Sequence, residues 1–251
     1  MSKVKISVVS YLNSKPFIYG LENTNFKNQI ELQQDIPSIC AQKLINKTVD
    51  IGLIPVAILP RLKEHHIISD YCIGAVGKVE SVCLYSHVPL SEINTILLDY
   101  QSRTSVALVK VLAKELWHIS PEWKNAEKDF ENTIQHTTAA VIIGDRTFGL
   151  ENKFPFKYDL AEEWQKLTGL PFVFACWVAN KKLSSEFIEQ FNSSLKTGID
   201  NIENIAETIQ NQENYQINVK HYLQNNISYV LNKPKREGLE LFLAYLKKLD
   251  E

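Results

Sequence analysis

VKISVVSYLNSKPF, residues 4–17, begins as a strand and ends as the start of a helix. Val4, Ile6 and Val8 alternate with more polar neighbours, the period of a half-buried strand. Pro16 stands where a first helical turn tolerates a residue without an N–H. Between them lie Ser10, Tyr11, Asn13 and Ser14, with no acid and no histidine. A strand that passes into a helix through a short polar turn is the first half of an α/β unit. In open α/β sheets, ligands gather beyond the carboxyl ends of the strands, which is where this neutral cluster stands.

The same alternation continues outward along the chain. IELQQDI (30–36) reads as a strand, and PSICAQKLINK (37–47) as a helix with Ser38 as its N-cap. VDIGLIPV (49–56), HIISDYCIGAVG (66–77) and VESVCLYS (79–86) read as further strands. TILLD (95–99) starts a second series. It leads into SRTSVALVKVLAKEL (102–116), where Val106, Val109, Leu112 and Leu116 keep helical spacing. AAVIIGD (139–145) is a buried strand, LAEEWQKL (160–167) a helix closed by Gly169, and PFVFACWVAN (171–180) a strand again. The pattern predicts an α/β fold with largely parallel sheet.

Beyond residue 183 the pattern changes. Phe187, Ile188, Phe191, Leu195, Ile199, Ile202, Ile205 and Ile209 fall three or four apart. They predict one long or two abutting helices, with Gly198 a weak point. Tyr215–Leu231 and Leu239–Leu249 read as two more helices, Pro234 suiting a start. This third of the chain reads as packing material without evident chemistry. Strands 79–86 and 171–180 are the best candidates for hinges between two lobes. They divide the chain into 1–86 with 175–251, holding both termini, and 87–174, with a cleft between.

The 251 residues are 45% hydrophobic and carry a formal net charge of −2, with no basic block or stripe. Nucleic acid is therefore not an expected partner. No apolar run approaches the length of a membrane span, and the first residues lack the apolar core of a secretory signal, so a cytoplasmic location is expected. Cys40, Cys72, Cys83 and Cys176 have no zinc-knuckle or redox spacing and sit among apolar residues, which reads as buried reduced thiols. The six histidines form no HxxxH pair, and no glycine-rich nucleotide motif is present. Metal binding is therefore not expected, and nucleotide binding has no motif support.

Strand ends are the remaining places for chemistry. Ser102 is a natural N-cap. The free N–H groups of the turn it caps, the Thr104 and Ser105 hydroxyls and the Arg103 charge together suit a carboxylate or a phosphate. The plainer reading of that stretch is an ordinary capped helix beside an exposed arginine. Ser10, Asn13 and Ser14 can likewise bind an anion or simply shape an Asx turn. Of the carboxylates, Asp99 and Asp145 lie at strand ends. Asp99 reads as a cap of its own loop, and Asp145 has Arg103 and Arg146 as candidate ion-pair partners.

Taken in order, SYLNSKPFIYGL (10–21), VDIGLIPV (49–56), KVESVCLYS (78–86), LDYQSRTSVAL (98–108), VIIGDRTF (141–148) and DLAEEWQKLTGLPFVFACW (159–177) resemble the successive motifs of one family. It is the chorismate dehydratases of the futalosine route to menaquinone. SYLN, SRTS and TGLPFVFA are the specific pieces; the C-terminal part matches only in being helical. The resemblance implies a two-lobed fold like that of type II periplasmic binding proteins, used as an enzyme. It implies chorismate, a dianion, as substrate, dehydration to 3-[(1-carboxyvinyl)oxy]benzoate as reaction, and no cofactor. It makes Asn13 the catalytic candidate. Ser10, Tyr11, Ser81, Val82, Ser102, Arg103, Thr104, Ser105, Asp145 and Gly169 are the substrate-binding candidates. A dianion also gives the opening turn its sense, since uncharged donors bind carboxylates where an acid would repel them. An amide is no proton acceptor near neutral pH. The resemblance instead gives the base to one of the substrate's own carboxylates.

Two rivals stand beside this reading. The 1,4-dihydroxy-6-naphthoate synthase of the same route shares the fold but uses a histidine where this chain reads Ile143-Gly144-Asp145. A non-catalytic small-anion-binding protein would use the same cleft and leave its ligand unchanged.

Overall fold

The structure, a computed structural model, describes residues 3–150 and 152–250. Two sheets organise it. The first contains β1 (Val4–Val9), β2 (Ile30–Asp35), β3 (Ile51–Pro55) and β4 (His66–Ala75), with α1 (Lys15–Glu22) after β1 and α2 (Pro37–Ile45) after β2. The second contains β5 (Val82–Ser86), β6 (Thr95–Leu98), β7 (Glu122–Asn125), β8 (Thr138–Ile143) and β9 (Phe156–Asp159). Its helices are α3 (Thr104–Leu112), which continues as a π turn over Ala113–Trp117, and α4 (Leu160–Thr168). The chain then returns to the first sheet as β10 (Phe172–Ala179). It closes with α5 (Ser185–Asp200), α6 (Ile202–Gln212), α7 (Val219–His221), β11 (Ser228–Val230) and α8 (Lys233–Asp250).

Strand order is β11-β4-β10-β3-β1-β2 in one sheet and β7-β6-β8-β5-β9 in the other. Only β1 with β2 and β3, and β6 with β7 and β8, pair in parallel. β10 runs antiparallel between β3 and β4, and β5 runs antiparallel between β8 and β9. The sheets are thus mixed, not largely parallel. Each strand by which the chain enters a sheet from the other half, β5 or β10, opposes both of its neighbours. Val82–Ser86, read as a hinge, is an inner strand of the second sheet. We take the lobe division to run at the two connections between sheets, 76–81 and 169–171.

The first connection is held by one carboxylate. Asp159 Oδ2 accepts from the Val79 and Glu80 amides at 3.0 and 2.7 Å, while its Oδ1 caps α4 through Ala161 and Glu162. The second turns on Gly169, the C-cap of α4, at φ +73°, a conformation that glycine adopts without strain.

The core follows from the wholly buried β10. Trp177 meets Phe17 of α1 and Phe191 of α5 edge-on, at 5.6 and 5.1 Å between centroids. Each such burial contributes roughly 1.5–3 kcal/mol or more. At the start of β10, Phe172 packs on Trp164 of α4 and Phe242 of α8, and Phe242 also meets Trp164, so α8 touches both halves. The four cysteines are buried and unpaired. Burial pushes the Cys40 and Cys72 thiols up to about 12, which leaves them unreactive.

Three local readings change. α2 starts at Pro37 after Ile36, so Ser38 lies inside the first turn and is not its cap. α5 runs through Gly198, and the break falls at Asn201. Gly198 is there for closeness: a Cβ would collide with the Pro16 carbonyl. Residues 215–231, read as helix, instead form α7, a π turn over Tyr222–Asn226 and then β11, which pairs with β4.

Candidate functional site

The turn after β1, the connection at 79–82 and the N-terminus of α3 meet around one cavity. About 60 Å³ of it is open to the centres of water molecules. One water needs roughly 10–15 Å³ by that measure, so several waters, or a small ligand in their place, fit there. Tyr11, Asn13, Ser81, Val82, Ser102, Thr104, Ser105 and Gly144 line it, with Val9, Ile73, Ile143 and Phe174 among the apolar walls. Among the described residues none that lines it is charged.

Asn13 is buried in the 3-10 turn Leu12–Ser14 that joins β1 to α1. Ser14 Oγ donates to its Oδ1 at 3.1 Å, which fixes the amide with its NH₂ as the remaining donor. Tyr229 OH donates to the Asn13 carbonyl at 3.0 Å. Tyr222 OH donates to Ser81 Oγ at 2.7 Å and also interacts with the Asn13 side chain. Both phenols are buried, and that burial pushes their pKa values far above the usual range, so they stay protonated donors. The C-terminal part, read as packing material, therefore holds the two polar residues Asn13 and Ser81 in place. A hydrophobic pattern gives no sign of this, because Tyr222 and Tyr229 occupy apolar positions in it.

At the other wall Ser102 Oγ accepts from the Ser105 amide at 3.0 Å, the bond of an N-cap. Formally α3 begins at Thr104 with Arg103 before it. The Arg103 and Thr104 amides have no backbone acceptor among the described residues and are the free donors of the helix end. The Thr104 hydroxyl is otherwise engaged. It donates to Phe174 O of β10 at 3.0 Å and accepts from the Ala57 amide at 3.3 Å, clasping the second half to the first.

Tyr11 reaches across the cleft to Gln101 Oε1 and lays its ring on Gly144. A Cβ there would stand 2.6 Å from the ring, and φ is +67°, so only glycine fits. Asp145 lies behind Gly144, outside the cavity lining. Its carboxylate accepts from the Leu12 amide at 3.1 Å and from Tyr215 OH at 3.4 Å, again across the cleft. It pairs with neither arginine. Arg146 goes instead to the buried Asp99 and to Glu131. Asp99 does cap its own loop, accepting from the Gln101 amide at 2.9 Å.

Besides Asp145, three candidates stand apart from the cavity. Ser10 is at the strand end, its amide bonded to Asp35 O. Arg103 turns to a separate outer groove. Gly169 caps α4 at the second connection, with nothing near its α-carbon side. Among the described residues no group of three or more His, Cys, Asp or Glu side chains is placed to hold a metal. Nor is any helix among them long and apolar enough to cross a membrane.

A family model described as "Menaquinone biosynthesis" matches residues 4–248. A chorismate dehydratase of Campylobacter jejuni is 27% identical over 252 residues, covering 96% of this chain and 97% of that protein. One of Thermus thermophilus is 26% identical over 200 residues, covering 72% of this chain and 73% of its own. A solved Candida albicans protein, described as having the generic periplasmic binding protein fold, superposes with TM-score 0.66 at 12% identity. That superposition covers 100% of this chain and 92% of the other, and the fold is accordingly that of the periplasmic binding proteins.

Proposed function

The chain belongs to the menaquinone biosynthesis family, and on that premise we propose that it is a chorismate dehydratase, a hydro-lyase whose product is 3-[(1-carboxyvinyl)oxy]benzoate. The observation that carries the reading is the cavity itself: a small space between two lobes, lined by hydroxyls, an amide and a helix N-terminus, with no charged residue among the described residues of its wall. A dicarboxylate is held there by donors and dipoles without repulsion from an acid.

In the reaction one C–H and one C–O bond break on adjacent ring carbons. The C–H electron pair becomes the third double bond of the ring, and the proton and hydroxide leave together as water. Aromatisation supplies much of the driving force, so the protein's part is to position the substrate and exclude water. We assign one substrate carboxylate to the Arg103 and Thr104 amides with the Ser105 hydroxyl. Ser81, fixed by Tyr222, supports the ring side. The Asn13 NH₂, aimed by Ser14, donates to the departing hydroxyl and stabilises its growing charge. We assign the proton acceptor to a carboxylate of the substrate, as the family resemblance implies; among the described residues no basic side chain lines the cavity.

The test is direct. Purified protein incubated with chorismate, without added metal, is followed by ultraviolet absorbance and mass spectrometry of the product. Loss of one water with an aromatic spectrum supports the assignment. Saturable binding with chorismate left intact would instead make this an anion-binding protein.

A further inference from the structure

On the outer side of α3, away from the substrate cavity, lies a groove of about 910 Å³. Arg61, Arg103, Lys110, Lys114 and Lys247 line it together with His118, and no Asp or Glu among the described residues does. None of those five cations makes an ion pair among the described residues, whereas Lys43, Arg146, Lys157 and Lys181 elsewhere in the protein do. Lys110 is placed over the ring of Trp123, 5.7 Å from its centroid, and Lys114 reaches only a main-chain carbonyl, that of Lys248 at 3.4 Å. Like charges gathered without a counter-charge repel one another, and a surface that keeps them so collected lacks its anion. Ile58, Val106 and Leu246 give the same groove an apolar floor. Its walls come from both halves: Arg61 and Lys247 from the first, Arg103 and Lys110 from the second.

We propose that this groove is a second ligand site, which takes a small phosphate-bearing anion and bridges the two lobes. Phosphate is the chemistry that two guanidinium forks and several ammonium groups match in charge and in number of donors. The concavity argues for a small molecule over a flat lipid surface, and the Trp123 ring with the apolar floor gives an organic body somewhere to rest. The site does not depend on the activity assigned above.

The test is calorimetric titration of the full chain with ATP and, separately, with inorganic pyrophosphate, at physiological ionic strength. Saturable binding of ATP alone assigns part of the affinity to the organic body, and binding of both assigns it to the phosphates; either supports the site. Arg61→Ala and Lys110→Ala, one from each lobe, should each weaken binding by about tenfold or more, the loss expected for one charge-assisted contact. Thermal melting of both variants should match the parent, which separates lost binding from lost fold. No binding of either ligand overturns the proposal, as does affinity unchanged in both variants. A loss confined to one variant overturns the bridging geometry.

Discussion

At the scale of single residues, Asn13 and Thr104 use similar groups for opposite purposes. Asn13 has its amide oxygen taken by Ser14, its carbonyl by Tyr229 and one side of its NH₂ by Tyr222, so the second N–H of that NH₂ is the group left for substrate. Asn13→Ala should lower kcat by about 10²–10³-fold, the usual effect of removing one donor to developing charge. Affinity for the product should change little, and steady-state rates with a product titration would show the difference. Undiminished turnover in folded Asn13→Ala would refute its role. Thr104 has both lone pair and proton committed across the cleft, to Ala57 and Phe174. Thr104→Val keeps the shape but leaves a part-buried amide and a buried carbonyl without this partner, roughly 1–3 kcal/mol for each group left unpaired. Because those bonds join the lobes, the loss should appear as a raised KM with kcat nearly kept. The hydroxyls of SRTS were legible as a polar helix start. That one of them serves as a clasp was not, because its acceptor on Phe174 lies 70 positions away.

Among whole elements, what could be read in the sequence is what local period dictates. The inner strands and α3, α4 and α8 stand close to where alternation and helical spacing put them. The failures are long-range. YLQNNISYVLN (222–232) carries helical spacing of apolar residues, yet β11 forms because β4 offers an open edge and Lys235 gathers the carbonyls of Ser228 and Val230. Gly198 looked like a weakness within one helix and is a contact between two. Gly20 of α1 and Gly198 of α5 face each other so closely that a Cβ on either meets backbone of the partner helix. Gly198→Ala would be mildly favourable by helix propensity alone. Here overpacking against backbone should prevail, destabilising by about 1–3 kcal/mol or more. A lower midpoint in urea with unchanged slope would report it. A midpoint equal to or above the parent's would show that α1 and α5 can separate freely.

For the molecule as a whole, the question is what decides how the two halves meet. Tyr11 with Gln101, Thr104 with Phe174, and Asp145 with Leu12 and Tyr215 all cross the cleft, and the last of these titrates in an accessible range. Burial is the largest influence on the Asp145 carboxyl and raises it from 3.8 to about 6, against the Leu12 amide, the Tyr215 hydroxyl and Lys15, which lower it, and with Glu213, which raises it. A carboxyl whose folded value lies above its unfolded one favours the folded, closed form when protonated. That contribution is fully present below the unfolded value and is lost as pH rises through about 6. Opening the cleft would return the carboxyl to water and its ordinary range, so closure takes up a proton as pH falls toward 6. Product affinity, which reads closure, should therefore strengthen between about pH 7 and about pH 5 beyond what the ligand's own titration explains. Asp145→Asn keeps an oxygen for the Leu12 amide and removes the titration, so in it that added pH dependence should disappear while the affinity near neutral pH holds or improves. Titrations of parent and variant side by side decide the matter: parallel pH profiles would mean that Asp145 remains equally buried in the open and closed forms, and that closure is set by the neutral clasps alone.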